Sequence, residues 1–152
     1  MIRKIYFLSI GLISLTSCKN DDTTASPINT EKTKTLLVGK WNMIKSETFV
    51  DGVITDKSDL KIPGCDYDFF NFKTDGTKEE VYHEMDCSLE TFDGIWIYEE
   101  ATNRIDVIDK EDGFKTVFEV VSITKTDLKI RLLEGNGEPL PKEVEGYTYL
   151  KK

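Results

Sequence analysis

The stretch Asp127–Leu133 reads DLKIRLL, and its side chains alternate between charged and apolar from Asp127 to Leu132. Successive side chains of an extended strand point to opposite faces, so Leu128, Ile130 and Leu132 share one face and the basic residues between them share the other. One buried face and one solvated face are typical of an antiparallel sheet. This stretch therefore predicts an antiparallel strand in an all-β fold.

The same short, β-rich segments recur along the chain from Leu36 onward. Ile105 and Val107 flank Asp106, for example, and no segment shows sustained apolar spacing of the helical kind. Asp-Gly pairs, which favour hairpin turns, occur at residues 51–52, 75–76, 93–94 and 112–113. The pattern predicts a series of short strands joined by turns.

We predict eight strands, and such a series exposes its two edges unless the sheet closes. Their bounds are 38–48, 66–72, 77–84, 94–99, 104–109, 114–122, 127–133 and 144–151. An eight-stranded antiparallel up-and-down barrel is therefore expected. The alternative is a β-sandwich, which usually needs longer crossing connections.

Links in an up-and-down barrel alternate between its two ends. We call the end where the first strand begins the near end and the opposite one the far end. The near-end links are tight, whereas three far-end links are long, at residues 49–65, 85–93 and 134–143. Long loops carry binding sites more often than tight turns do, so we expect the mouth of the barrel at the far end.

The N-terminus has the pattern of an export signal. Arg3 and Lys4 precede an apolar run at residues 5–15 that is too short to span a bilayer. The following Leu15-Thr16-Ser17-Cys18 resembles the lipobox of bacterial lipoproteins, whose cysteine receives a diacylglyceryl group and becomes the first mature residue. The resemblance implies a signal peptide at 1–17 and lipidation of Cys18. The alternative is an ordinary signal peptide with an unrelated cysteine.

Residues 18–35 are expected to form a lipidated cysteine and a disordered tether, because the segment is polar and lacks aromatic side chains. The folded domain would then comprise residues 36–152. The lipoprotein resemblance implies a lipid-anchored position in the cell envelope, at the periplasmic or surface face of the outer membrane. The formal net charge of −8 offers no basic surface for nucleic acid.

Two cysteines remain if Cys18 carries lipid. Cys65 precedes the second predicted strand and Cys87 follows the third, so strand parity places both at the far end. In an exported chain the simplest arrangement is one disulfide. The alternative is a metal site with the nearby His83, but zinc ligands normally come in closely spaced pairs and Cys65 has no such partner. We therefore expect no metal and no cofactor.

Several short motifs, in order, carry a family resemblance. They are Gly39-Lys40-Trp41, Phe72–Thr77 (F-x-x-D-G-T), Gly94-Ile95-Trp96 and Thr126-Asp127-Leu128. Gly39 and Trp41 resemble the Gly-x-Trp motif of lipocalins, which closes one end of the barrel; where lipocalins place an arginine in the last strand, this chain has Lys151 and Lys152. The whole is similar to the lipocalin-like domains of small Gram-negative envelope lipoproteins, which implies a calyx-like barrel.

The aromatic residues are the candidates for binding. Trp96, Tyr98, Phe118 and Tyr147 would line a pocket for a small apolar or ring-bearing ligand. The alternative is that they fill the core, because eight strands leave little interior room. The single histidine has no evident nucleophile beside it in the sequence, so no enzyme is expected.

Two functions remain open at this point. The first is binding or carriage of a small hydrophobic ligand at the cell envelope. The second is a non-catalytic interaction module, solidly packed, whose far-end loops contact an envelope protein.

Overall fold

The computed structural model describes residues 30–152. The predicted signal peptide, the lipidated Cys18 and the tether up to residue 29 lie outside the described residues. The elements are α1 (Thr30–Leu37), β1 (Gly39–Val50), β2 (Val53–Asp59), β3 (Phe69–Phe72), β4 (Thr77–His83), β5 (Leu89–Glu99), β6 (Arg104–Asp109), β7 (Lys115–Ile123), β8 (Asp127–Gly135), β9 (Glu138–Pro139) and β10 (Val144–Lys151). No helix within this part of the chain is long and apolar enough to cross a bilayer.

Eight of the strands close into a barrel, as predicted. The order is β10-β1-β3-β4-β5-β6-β7-β8, and β8 pairs back onto β10. Every pairing is antiparallel. The alternation of the opening stretch is also confirmed, since Leu128 and Ile130 are buried while Lys129 and Arg131 are partly exposed.

The long link predicted at residues 49–65 is a hairpin for most of its length. β1 continues to Val50, turns at Asp51 and Gly52 with φ of 51° and 75°, and pairs with β2. β2 lies beside β1 where β3 does not reach, and six of its seven residues are exposed. Without a buried face it has no apolar alternation, which is why the sequence did not indicate a strand there.

Several further boundaries differ from the prediction. β3 begins at Phe69 rather than at residue 66, and β5 begins at Leu89 rather than at residue 94. β8 continues to Gly135 and pairs with β9 within the link predicted at 134–143, and residues 30–35, predicted as tether, belong to α1. Thr33 and Leu37 are buried one helical turn apart, so this face of α1 packs on the domain. The ordered structure therefore starts before residue 36.

The barrel interior is filled at its middle by aromatic rings. Phe70 on β3 and Phe118 on β7 are separated by three strands, yet their ring centroids are 6.0 Å apart. Phe70 also stacks on Phe72 at 5.7 Å, and Phe72 lies 5.1 Å from Trp96. A contact across the lumen leaves no continuous calyx from one end to the other at this level.

Candidate functional site

The near end is closed by Trp41 and Lys152. The buried indole of Trp41 donates a hydrogen bond from Nε1 to the Leu37 carbonyl at 2.6 Å. Lys152 Nζ lies 4.5 Å from the Trp41 ring centroid and donates to the Leu36 and Val38 carbonyls, each at 2.8 Å. Lysine thus stands beside the tryptophan where the lipocalin resemblance implied arginine, and it also caps the C-terminus of α1.

Gly39 begins β1 with a φ of 120°, a backbone conformation that favours glycine. A Cβ there would lie 3.5 Å from both Cε and Nζ of Lys152, which is ordinary van der Waals contact, so the backbone conformation and not the available space calls for glycine. Desolvation by burial lowers the pKa of Lys152. The Gly-x-Trp motif is therefore at the closed end of the barrel, as the resemblance implied.

Three of the four predicted binding aromatics lie inside the barrel. Trp96 and Tyr98 occupy buried positions on the inner face of β5, and Phe118 packs against the same core. Trp96 Nε1 donates to the Lys73 carbonyl at 2.9 Å, and the Tyr98 hydroxyl donates to Asn103 Oδ1 at 2.5 Å. These contacts match the core-filling interpretation of the aromatic residues.

Tyr147 is on the outer wall, so the predicted grouping of four aromatics is not formed. Leu150 faces inward from β10, and Tyr147, three residues earlier in the same strand, therefore points to the outer face. The Tyr147 ring makes an edge contact with Phe49 at 5.6 Å and lies under Lys129 Nζ at 4.1 Å.

Glu47 is the most shielded carboxylate of this outer wall. It accepts hydrogen bonds from Lys45 Nζ at 2.8 Å and from the Tyr149 hydroxyl at 2.6 Å. The hydrogen bond from Lys45 and then that from Tyr149 lower the pKa of Glu47 to about 2. The wall thus carries a satisfied polar network that stabilises the β1–β10 seam.

An ion-pair network lies inside the barrel beyond the aromatic layer. Lys78 on β4 is 1% exposed, and its Nζ is 3.0 Å from Glu80 Oε2 and 2.5 Å from Asp109 Oδ1. The Tyr82 hydroxyl donates to the other oxygen of Glu80. Burial, and then the charge of Glu80, raise the pKa of Tyr82, so the hydroxyl keeps the proton that it donates.

Gly94 makes space for the lysine. It pairs with Lys78 on one side and with Asp109 on the other. A Cβ on Gly94 would lie 2.7 Å from Lys78 Cε and 2.2 Å from the Ile108 carbonyl oxygen. The Gly94-Ile95-Trp96 motif therefore admits a buried lysine at its first position and supplies a core ring at its third.

A cavity of about 350 Å³ lies at the far-end rim. Phe92 and Asp109 contribute to it from inner-face positions of β5 and β6, and the link after β6 forms its other side. Its lining residues are Thr91, Phe92, Asp93, Asp109, Lys110, Glu111 and Asp112. A neighbouring cavity of about 410 Å³ shares Asp109 and Lys110 with it and extends along Ile95 and Ile108.

The far end is braced by the predicted disulfide, which is confirmed. Cys65 and Cys87 are bonded, with their Cα atoms 5.3 Å apart. His83, named in the metal alternative, pairs its Nδ1 with Asp68 Oδ1 at 3.1 Å. Within residues 30–152, no three histidine, cysteine or acidic side chains are arranged to share a metal ion.

The sequence did not indicate the cavity residues or the inner ion pairs. Strand β4 reads TKEEVYH, in which charged side chains occupy both faces and hide the alternation. The motif Gly94-Ile95-Trp96 is the one local feature of the sequence that points to the site. If Trp96 faces the core, Gly94, two residues earlier, faces the same way, and a glycine at an inner position indicates that another side chain occupies that space.

A closed eight-stranded antiparallel barrel with a tryptophan at its closed end is the architecture that the lipocalin-like motifs implied, although aromatic rings fill its middle. The sequence matches the model of the lipocalin-like domain over residues 37–130, more than half of the chain, and the protein belongs to that family. A lipocalin-like protein from Bacteroides uniformis has a similar structure, with a TM-score of 0.53, 18% identity and coverage of 77% of this chain and 98% of that one.

A protein from Bacteroides eggerthii aligns with a TM-score of 0.49 at 18% identity, covering 76% of this chain and 98% of that one. No curated protein matches the sequence.

Proposed function

We propose that this protein is a lipid-anchored, non-catalytic binding protein of the cell envelope that takes a small ligand at the far end of its barrel. The observation that carries the proposal is the 350 Å³ cavity at the rim, to which Phe92 and Asp109 contribute from inner-face positions. Its volume is at the lower end of the range of small-molecule sites. The ligand would bind at the mouth, because aromatic rings fill the barrel below it.

The position of α1 supports an orientation in which the cavity faces away from the membrane. The described chain begins at α1, beside the closed near end, and the cavity is at the opposite end. A lipid on Cys18 would therefore hold the near end toward the membrane and leave the cavity facing away. We propose the outer membrane, at its periplasmic or surface face, as the site of anchoring.

The ligand proposal is tested by native mass spectrometry of protein purified from its own membrane. A small molecule should co-purify with the wild type and with Ile97→Ala, which alters an exposed outer-wall residue of β5. It should be lost or reduced in Phe92→Ala, which removes the cavity ring from the same strand. Wild-type protein that purifies without a bound small molecule would contradict the ligand proposal.

Anchoring is tested separately with Cys18→Ala. The variant should leave the membrane fraction, while wild type and a Cys65→Ser/Cys87→Ser variant stay in it. An equally membrane-bound Cys18→Ala protein would contradict lipid anchoring without bearing on the ligand.

A second candidate function is contact with an envelope protein through the far end. Of the eight exposed large apolar residues in the described chain, five lie at far-end links or strand ends. They are Val53, Ile54, Met85, Leu89 and Phe114. Exposed apolar groups collected at one end of a domain favour a protein contact there. Cross-linking in whole cells should then capture one defined partner, and Met85→Ser with Leu89→Ser should abolish the product.

A further inference from the structure

The ligand class can be narrowed from the charges around the far-end cavity, on the assumption that the proposed function is correct. Four carboxylates and one lysine line the cavity, beside one aromatic ring and one threonine. Asp109 is the carboxylate that connects the cavity with the barrel interior. Its side chain is 26% exposed, and it lines both this cavity and the neighbouring one.

The interior network leaves one carboxylate oxygen of Asp109 available to the cavity. Lys78 is the one ammonium shared by Glu80 and Asp109, so the three groups carry a formal charge of −1. Glu80 also accepts the Tyr82 hydroxyl, whereas no described residue donates a hydrogen bond to Oδ2 of Asp109. Among the described residues the only buried side-chain nitrogen or oxygen without a partner is Arg131 Nε, so Oδ2 of Asp109 is accessible to solvent. A cation in the cavity could therefore reach this oxygen and offset the remaining negative charge.

The aromatic wall of the cavity belongs to the same network. The Phe92 ring packs edge-on against the Tyr82 ring, with centroids 6.0 Å apart and planes at 76°. Phe92 also pairs with Glu80 across the β4–β5 ladder, and Glu80 shares Lys78 with Asp109. An aromatic ring and a carboxylate that line one cavity suit an organic cation, through the ion pair and through cation–π attraction.

We propose that the cavity binds a small organic ammonium ion. The ammonium group would donate to Asp109 Oδ2, and the apolar or ring-bearing body would lie against Phe92. A bare metal ion does not fit, since the described residues offer no cluster of three metal-ligating side chains. Asp109 is then the specificity-determining residue, and Lys78 sets how much of its charge is available.

The test compares three probes with related skeletons: 2-phenylethylamine, 2-phenylethanol and 3-phenylpropionate. Their affinities for the folded protein are measured by calorimetry at neutral pH and constant ionic strength. We expect the amine to bind about tenfold or more tightly than the alcohol, and the carboxylate to bind least, since a charge-assisted hydrogen bond is stronger than a neutral one.

Two variants should move the amine affinity in opposite directions. Asp109→Asn should lower it about tenfold and leave the alcohol unchanged, whereas Lys78→Met should raise it by leaving two carboxylates unneutralised. The matched control is Asp106→Asn, which alters the outer face of the same strand, where Asp106 pairs with Lys115 at 2.7 Å. Thermal melting confirms that each variant is folded; if Lys78→Met does not fold, the Asp109 and Asp106 pair decides.

The outcomes separate the two proposals. Equal or tighter binding of the alcohol or the carboxylate overturns the cation inference and leaves small-molecule binding at the rim intact. An amine preference that Asp109→Asn does not reduce overturns the role of Asp109. If no probe binds, the cation inference fails, and the co-purification experiment then decides whether the rim binds any small molecule.

Discussion

Replacing Gly94 with alanine is the sharpest test of how the barrel is built. Gly94 has no need of positive φ, so the cost of a side chain there is steric alone. The added Cβ would lie 2.2 Å from the Ile108 carbonyl oxygen and 2.7 Å from Lys78 Cε. Real Cβ contacts are not this short, and a backbone carbonyl cannot rotate away. The β5–β6 ladder must therefore open where Gly94 pairs with Asp109.

The expected destabilisation is about 3 kcal/mol. Overpacking a well-packed site typically costs roughly 1–3 kcal/mol. Weakening one ladder hydrogen bond and displacing the buried lysine from a carboxylate add about 1 kcal/mol or more. For a domain of this size the melting temperature should fall by roughly 10 °C. Urea unfolding followed by tryptophan fluorescence, to which the buried Trp41 and Trp96 both contribute, measures the free energy.

Gly135→Ala is the matched control. Gly135 also lies in a strand without positive φ, and no atom lies within 4 Å of its added Cβ. Its free energy of unfolding should stay within about 0.5 kcal/mol of the wild type. If Gly94→Ala is no more destabilising than this control, Gly94 is not the space that admits Lys78, and the steric account is wrong.

Three further predictions concern the near end, the outer wall and the far end. Lys152→Met should lower the free energy of unfolding in urea by about 1–2 kcal/mol, because it removes the cap of α1 and the contact with the indole. Lys151→Met, which removes only an exposed ion pair, should lower it by less than about 0.5 kcal/mol. Equal effects of the two substitutions would contradict the capping role of Lys152. The pKa of Glu47 is lower in the folded state than in the unfolded chain, so the stabilisation by its carboxylate is present at neutral pH and is lost as pH falls toward 2. The difference in unfolding free energy between wild type and Glu47→Gln should therefore shrink between pH 5 and pH 2. A difference that stays constant over this range would refute the prediction. Replacing both disulfide cysteines with serine should cost about 3 kcal/mol, since the bond joins residues 22 apart in sequence; an unchanged urea midpoint would show that the bond does not stabilise the folded state.

The barrel could be predicted because its strands have one wet face. Leu128 and Ile130 alternate with basic residues, and Ile105 and Val107 flank an acid. The alternation of apolar and charged side chains that is typical of a strand can therefore be recognised in the sequence alone. The alternation of links between the two ends then predicts that Cys65 and Cys87 lie at the same end, and their disulfide confirms it. β2 could not be predicted in this way. Both of its faces are largely exposed, so burial does not impose an alternation of apolar and polar residues on its sequence.

The candidate site was harder to predict because its chemistry contradicts the usual composition of a core. Lys78 and Glu80 sit at inner positions of β4, where sequence patterning expects apolar residues. Charged groups are tolerated there only when they are paired, and the partner Asp109 is 31 residues away on β6. Nothing local to either segment shows that they meet.

Strand β5 explains how one small barrel can keep a filled core and still present a site. Trp96 and Tyr98, toward the near end, close the lumen with rings that are buried and hydrogen-bonded through their polar atoms. Gly94, the next inner position, leaves a notch that the Lys78 side chain fills. Phe92, one inner position further, reaches the cavity. Because the ion-pair layer separates the core from the rim, substitutions at the rim can change what is bound without opening the hydrophobic core, and the two halves should respond independently to mutation.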